Sequence, residues 1–151
     1  MDIREQLRRD HQKALAELDA IAQESDAHRS QVRLARLRGA WMVHALAEET
    51  VVYRAIEGAA PARRADERFV EHELVESLFE KIARARHGTL EWNARINVVR
   101  ELISRHVQSE EGSLFADLDE KFSAEELLDM GGNFVLARDK LAMLEAAKKA
   151  A

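Results

Sequence analysis

Apolar residues recur at steps of three and four positions along most of the chain, which is the period of an amphipathic α-helix. The sequence lacks the alternation of apolar and polar residues that is typical of a half-buried strand. The composition agrees, because Ala, Leu, Glu and Arg are abundant beside one proline and six glycines. The pattern predicts an all-α protein, and 151 residues can bury a substantial core.

Turn residues divide this pattern into four long helices, which predicts an antiparallel up-down four-helix bundle over residues 1–120. The first half comprises helix 1 over Asp2–Gln23, a turn over Glu24–Ser30, and helix 2 up to Glu57 with Gly58 as its stop. The second half comprises helix 3, with Pro61 in its first turn and its end near His87-Gly88, and helix 4 with Thr89 as its cap.

Residues 121–151 form a predicted C-terminal helical extension of this bundle. The capping-box sequence Ser123-Ala-Glu-Glu126 predicts a short helix from Ala124, which Met130-Gly-Gly-Asn133 should interrupt. A last helix should then run from Phe134 to about Ala147. Its apolar face must pack on the bundle or on a second subunit, so the sequence leaves monomer and homodimer open.

Histidines replace apolar residues in the stripe of each of the four long helices. Three of them are followed four positions later by a glutamate, and residues at that spacing share one face of a helix. An unpaired charge in such a stripe would be costly, so the groups need a common partner. The sequence therefore predicts a dinuclear metal site inside the bundle, formed by His11, His44, Glu48, His72, Glu76, His106 and Glu110.

The histidines lie at matching distances from the turns that join their helices, which places the layer flat to within about one helical turn. A lone histidine is usually an ordinary hydrogen-bonded group, and that interpretation is kept for His28 and His87. Glu49, Glu73 and Glu111 adjoin predicted ligands but are rotated by about 100°, so we expect them on the solvent side or as hydrogen-bond partners of ligands.

Imidazole and carboxylate ligands without sulfur suit iron or manganese, while ligand type alone leaves zinc and copper open. The chain has no cysteine, which excludes disulfides, thiolate metal sites and cysteine nucleophiles. A net charge of −5 argues against a nucleic-acid partner. No apolar run is long enough for a membrane span and the N-terminus lacks a signal-peptide core, so we expect a cytoplasmic protein.

These motifs resemble those of hemerythrin-like proteins of the HHE cation-binding type. The resemblance covers about residues 1–120 and is carried by Asp10-His11, His44-x-x-x-Glu48-Glu49, Glu71-His72, His106-x-x-x-Glu110-Glu111 and Leu114-Phe115. It implies a four-helix bundle that holds two non-haem iron ions joined by an oxo or hydroxo bridge. It also implies that His11 and His44 are terminal ligands, that His72 and His106 bind from the second helix pair, and that Glu48 and Glu110 bridge.

Two departures bear on function. The oxygen-carrying hemerythrins have a histidine where this chain has Glu76, and an aspartate five residues after the helix 4 histidine where this chain has Glu110 at four. An extra carboxylate favours the oxidised metal pair. We therefore expect a protein that handles O2, peroxide or nitric oxide in redox or gas-responsive chemistry rather than in reversible O2 transport. A peroxidase or oxidase enzyme, and an iron store or iron-responsive interaction module without turnover, are the alternatives.

Aromatic residues flank the predicted metal layer. Trp41, Phe69, Phe79 and Ile103 are expected to pack above and below it. Tyr53 lies five residues beyond Glu48, about 140° around an ideal helix, which predicts an ordinary boundary tyrosine. Only a bend or a π-bulge in helix 2 would bring its phenol to the metal.

Overall fold

The computed structural model describes residues 1–59 and 63–150, and this part of the chain contains helices and no strand. This confirms the predicted all-α class. The helices are α1 (Ile3–Gln23), α2 (Ala27–Glu48), a first π-helix (Glu49–Tyr53), α3 (Arg54–Ala59), α4 (Arg63–Arg84), α5 (Leu90–Ser109), a second π-helix (Glu110–Leu114), α6 (Phe115–Lys121) and α7 (Ala124–Ala150).

Side-chain caps set the starts of the helices. Asp2 accepts a hydrogen bond from the Glu5 amide at 3.1 Å, and the Glu5 carboxylate accepts one from the Asp2 amide at 3.0 Å. Asp26 caps α2 by accepting from the Arg29 amide at 2.8 Å. Because of this cap, the first turn occupies only residues 24–26, and the predicted turn over Glu24–Ser30 was too long.

The remaining boundaries differ from the prediction at two points. Helix continues through Ala59, so the predicted stop at Gly58 is wrong, and Pro61 lies outside the described residues. α4 ends at Arg84, after which Gly88 takes a positive φ of 76° in the turn to α5. Thr89 caps α5 as predicted, accepting from the Trp92 amide at 3.2 Å.

The four long helices contact one another in a closed cycle, α1 with α2, α2 with α4, α4 with α5, and α5 with α1. α7 packs on the outside of α1 and α2. Within the described part of the chain, no helix combines the length and the hydropathy that crossing a bilayer needs.

A polar layer divides the apolar core into two clusters. On α1, His11 lies between Leu7 of one cluster and Ala14 of the other. The order is reversed along α2, where Trp41 precedes His44 and Ala47 follows it, and along α5 and the second π-helix. Trp41, Phe79 and Ile103 belong to one cluster, and Phe69 packs against the other. The prediction that these residues flank the histidine layer is confirmed.

α7 is continuous across residues 130–133, so the predicted interruption by Met130-Gly-Gly-Asn133 is wrong. The reason for a glycine at position 131 is a close backbone contact. A Cβ on Gly131 would lie 2.6 Å from the carbonyl oxygen of Met1 and 2.9 Å from the carbonyl carbon of Asp2. The glycine therefore lets α7 pack directly on the start of α1.

Gly131→Ala is expected to lower the free energy of unfolding by about 1–3 kcal/mol, because backbone must move to admit the methyl group. The measurement is urea denaturation followed by circular dichroism. Gly132→Ala is the matched control, since beyond its chain neighbours and its own helix backbone no atom lies within 4 Å of its Cβ position, and it should be neutral or stabilising by up to about 1 kcal/mol. Equal effects of the two substitutions would contradict this account of α7 docking.

Candidate metal centre

Six of the seven predicted ligands come together in the buried polar layer. Their side chains form three overlapping groups, in each of which the ligand atoms lie within 4.8 Å of one another. The groups are His11 with His106 and Glu110, His11 with His44 and Glu48, and Glu48 with His72 and His106. None of the six residues is more than 5% exposed.

Each of the two inner glutamates faces the imidazoles of the layer through its Oε2 atom. Glu110 Oε2 lies 3.3 Å from His11 Nε2 and 3.2 Å from His106 Nε2. Glu48 Oε2 lies 3.8 Å from His44 Nε2 and 3.6 Å from His72 Nε2. The Nε2 atoms of His72 and His106 are 3.4 Å apart. Glu48 Oε2 is also 4.0 Å from His106 Nε2, so the four imidazoles and two carboxylates form one continuous layer.

A second set of carboxylates holds the outer nitrogen of each of the four histidines in the layer. In each case the Nδ1 atom lies within hydrogen-bond distance of an acid on a neighbouring element. The pairs are Asp10 with His44 at 3.4 Å, Glu49 with His72 at 2.7 Å, Glu71 with His106 at 2.9 Å, and Glu111 with His11 at 3.2 Å. We call these four pairs the carboxylate ring, since they link α1 to α2, the first π-helix to α4, α4 to α5, and the second π-helix back to α1.

The sequence produces this ring through pairs of adjacent residues. Asp10 precedes His11, Glu71 precedes His72, and Glu49 and Glu111 follow the two inner glutamates. Consecutive residues on a helix differ in direction by about 100°, so one side chain points into the layer and its neighbour reaches the next helix. Glu49 and Glu111 are therefore hydrogen-bond partners of the candidate ligands, one of the two roles expected for them.

Tyr53 is buried in the layer rather than at the bundle surface, so the prediction of a boundary tyrosine is wrong. The first π-helix adds a residue to the turn after Glu48 and so rotates the phenol inward. This is the π-bulge in helix 2 that the sequence analysis gave as the alternative. Its hydroxyl donates to Glu110 Oε1 at 2.5 Å and lies 3.1 Å from Glu48 Oε2. Burial, together with these two carboxylates, raises the pKa of Tyr53 well above its ordinary value.

Arg68 is a buried cation beside the layer that sequence reasoning missed. Its Nε atom lies 3.8 Å from Glu110 Oε1, its guanidinium covers the Tyr53 ring at 5.8 Å, and Nη2 donates to Ser113 Oγ at 3.2 Å. Only 5% of the residue is exposed. The sequence did carry a signal for Arg68. It lies four residues before His72 on α4, and residues at that spacing share one face of a helix.

Glu76 belongs to none of the three groups within the described residues. Its Oε1 accepts hydrogen bonds from the guanidinium of Arg38, with Nε at 2.8 Å. His28 is exposed, and His87 Nε2 lies 3.1 Å from the backbone oxygen of Glu24. The structure therefore places all three side chains outside the layer.

Burial and neighbouring charges divide the protons of the layer unequally. Burial raises the pKa of Glu48, and the nearby Glu110 raises it further. Burial also opposes ionisation of Glu110, but His106 and His11 hold its pKa well below the usual range. Burial lowers the pKa of His106, but the carboxylates of Glu110, Glu71 and Glu48 overcome this effect and raise it to about 10. Burial lowers the pKa of His44 to about 4.

The inner atoms of the layer fit a metal ion. His11 Nε2, His44 Nε2, Glu48 Oε1 and Glu110 Oε2 are buried and have no hydrogen-bond partner. Buried polar atoms are rarely left this way, because they lose water without compensation. Imidazole nitrogens held from behind by carboxylates are the usual arrangement of histidine metal ligands. The donor set suits iron, manganese or zinc.

Comparison with known proteins agrees with this geometry. The sequence profile of the hemerythrin HHE cation binding domain matches residues 2–118. The chain belongs to this family. The matched region of this HHE-domain chain contains the complete polar layer and both π-helices, whereas α7 lies beyond it.

One curated relative of this HHE-domain chain is a DNA nickase from Nostoc sp. (strain PCC 7120 / SAG 25.82 / UTEX 2576). The two are 25% identical over 141 residues, which is 93% of this chain and 40% of the relative. The chain thus spans well under half of that protein's length. No solved structure matches the chain.

Glu71→Gln is expected to lower metal affinity by about 10–100-fold. The reason is that a neutral amide replaces the charged carboxylate that accepts the hydrogen bond from His106 Nδ1. Affinity can be measured by competition with a chromogenic chelator. Glu73→Gln is the matched control, being an exposed glutamate two residues away on α4. The carboxylate ring would have no part in metal binding if both variants kept the wild-type affinity.

Proposed function

We propose that this chain is a non-haem di-iron protein that reacts with O2, peroxide or nitric oxide, in redox or gas-responsive chemistry rather than reversible O2 transport. The ligands would be His11, His44, Glu48, His72, His106 and Glu110. The observation that carries the proposal is the buried layer itself, in which two carboxylates face four imidazoles. The proposed frame is an antiparallel up-down bundle over residues 1–120, which the closed cycle of helix contacts supports.

Two iron ions suit this donor set better than one, because six protein ligands in three overlapping groups exceed the needs of a single tetrahedral ion. When bound, the iron pair would supply electrons by changing between its ferrous and ferric states. Manganese and zinc fit the same donors, but zinc has no redox chemistry. Glu76 is left out of the proposed ligand set because Arg38 binds its carboxylate.

The residues beside the layer favour a chemical reaction of the bound small ligand over its reversible transport. Tyr53 holds a proton on its phenol oxygen, 2.5 Å from Glu110, where it can be donated to a small ligand as that ligand is reduced. Arg68 places a positive charge next to the same glutamate, which favours anionic ligands and products. Trp41 packs 5.5 Å from His44 and His106 and restricts water on one side of the layer.

One contact favours a second function, an iron store or iron-responsive interaction module without turnover. Arg138 on α7 donates to both oxygens of Asp10, at 3.2 and 3.0 Å, and Asp10 in turn faces His44. Phe134 of α7 packs edge-on against the same imidazole at 5.7 Å. Iron occupancy would thereby affect the docking of α7, and the surface it presents to a partner.

The name of the Nostoc relative raises DNA cleavage as a further activity. The part of that protein outside the matched region exceeds the part inside it, and this chain carries a net charge of −5. We therefore expect no nicking of supercoiled plasmid by the iron-loaded protein under conditions in which peroxide is consumed.

Metal content tests the proposal directly. Anaerobic loading with ferrous iron, followed by gel filtration and mass spectrometry, should give two iron ions per chain. His72→Ala and His106→Ala should each lose at least one ion, while His28→Ala, a change of an exposed histidine, should lose none. Iron should also raise the melting temperature, because the ligand layer forms only in the folded state. A folded wild-type protein that takes up no iron would overturn the proposal.

Tyr53→Phe separates the two candidate functions. If the phenol donates a proton during turnover, the variant should keep its iron and consume peroxide about 100-fold more slowly. The readout is peroxide loss on samples matched for iron content. An iron store predicts no turnover in either protein, and equal turnover in both would remove Tyr53 from the reaction.

A further inference from the structure

α7 carries a second apolar face, which the bundle does not cover. The residues that pack on the bundle are Leu127, Met130, Gly131 and Phe134. On the solvent side, Leu128 is 52% exposed, Leu136 70% and Met143 74%. At 100° per residue, these three side chains and Gly132 lie within an arc of about 80°, centred about 150° around the helix from the buried residues. We call this arc the outer stripe. Grouped apolar side chains of this kind mark an interaction surface, whereas single exposed leucines do not.

The charges of α7 are divided between its two halves. Residues 124–136 include three acids and no base, namely Glu125, Glu126 and Asp129. Residues 137–150 include two acids and four bases, the bases being Arg138, Lys140, Lys148 and Lys149. Two antiparallel copies of α7 therefore place the acidic half of each beside the basic half of the other. Parallel copies would place like charges together, so the charge pattern of α7 is complementary to itself only in the antiparallel direction.

One antiparallel register satisfies the apolar and the charged contacts together. When Leu128 lies opposite Met143 of the second copy, Leu136 lies within about 1.5 Å, along the helix axis, of Leu136 of the second copy. This self-pairing is what a two-fold axis requires. In the same register, Asp129 lies within about 3 Å, along the axis, of Lys140 of the second copy. Asp129 and Lys140 occupy the same edge of the outer stripe, 20° apart at 100° per residue, so the two-fold axis brings them together.

Asp129 and Lys140 are available for this contact. Both side chains are exposed. The ion pairs that α7 forms are Arg138 with Asp10 and Asp139, and Glu145 with Lys148. Within the part of the chain that the structure describes, Asp129 and Lys140 thus form no ion pair, and a second copy would supply one to each of them.

We propose that the outer stripe of α7 is a dimer interface between two copies of this chain. The copies pair antiparallel about a two-fold axis beside Leu136, with Leu128 of each against Met143 of the other and Asp129 against Lys140. Because each copy contributes only three large apolar side chains, the dimer is reversible, with a Kd on the order of 10–100 μM. α7 lies beyond the residues that match the family profile, and no metal ion takes part, so the inference goes beyond the proposed function.

The first test is sedimentation equilibrium of the full metal-free chain from about 5 to about 500 μM, a range that brackets the expected Kd. The mean mass should rise with concentration from 17.2 kDa towards twice that value. A mass of 17.2 kDa at every concentration would overturn the proposal. Metal-free protein keeps this result separate from any failure to load iron.

Leu136→Asp tests the centre of the interface. It should raise the dimer Kd at least tenfold, because it places two carboxylates in an apolar contact beside the two-fold axis. Leu90→Asp is the control, since Leu90 is an exposed leucine at the start of α5, and it should leave the Kd within about twofold. Circular dichroism should show both variants folded. A Kd unchanged by Leu136→Asp would overturn the interface.

Charge exchange tests the register without changing the apolar contacts. Asp129→Lys alone and Lys140→Asp alone should each weaken the dimer at least threefold at low salt, because like charges then face each other twice per dimer. The double variant Asp129→Lys with Lys140→Asp should restore the Kd to within about twofold, since opposite charges face each other again. A double variant that dimerises no better than the single ones would overturn the assigned register.

Introduced cysteines test the direction of pairing, because the chain has none of its own. An equal mixture of Leu128→Cys and Met143→Cys chains should form a mixed disulfide under diamide, which intact mass spectrometry identifies. Each variant alone should stay unlinked, because the two-fold axis places its two copies about 22 Å apart along the helices, and a disulfide needs Cα atoms within about 7 Å. Disulfides in the single variants and none between them would show parallel pairing and overturn the proposal.

Discussion

The need to compensate buried ionisable groups governs the structure of this bundle. Four imidazoles and two carboxylates occupy the middle of the core, where neither water nor an apolar neighbour can stabilise their charged forms. The carboxylate ring compensates the imidazoles on their outer side, because its four carboxylates lie within hydrogen-bond distance of all four Nδ1 atoms. The inner Nε2 and oxygen atoms are left facing one another, so the ring and the proposed metal ions are complementary solutions to one electrostatic problem.

The ring also positions the helices. Each hydrogen bond joins a side chain of one helix to the histidine of the next, so the layer fixes the relative height of all four helices as well as their direction of approach. The two apolar clusters above and below the layer share no such restriction, because apolar contacts are not directional. Specific register at the middle of the bundle therefore comes from polar contacts, while most of the favourable burial comes from the two clusters.

Periodicity predicted the helices and six side chains of the layer, because both depend on positions within a helix. It failed for Glu76, which has the same spacing from His72 as Glu48 has from His44. The difference lies in Arg38 on another helix, and periodicity carries no information about partners across a bundle. Tyr53 was misplaced because a π-helix changes the number of residues per turn. Met130-Gly-Gly-Asn133 was misread because glycine also permits close packing within a helix.

The two π-helices mark the corresponding points of an internal pseudo-repeat. Asp10-His11 and His44-x-x-x-Glu48-Glu49 in the first half correspond to Glu71-His72 and His106-x-x-x-Glu110-Glu111 in the second. Under this correspondence Tyr53 matches Phe115, and Arg68 matches Leu7. Each of these two pairs of equivalent positions thus carries one polar and one apolar side chain in an otherwise near-symmetric frame. Both polar groups act on Glu110 Oε1, so two chemically identical ions bound in this frame would be inequivalent from the moment they bind.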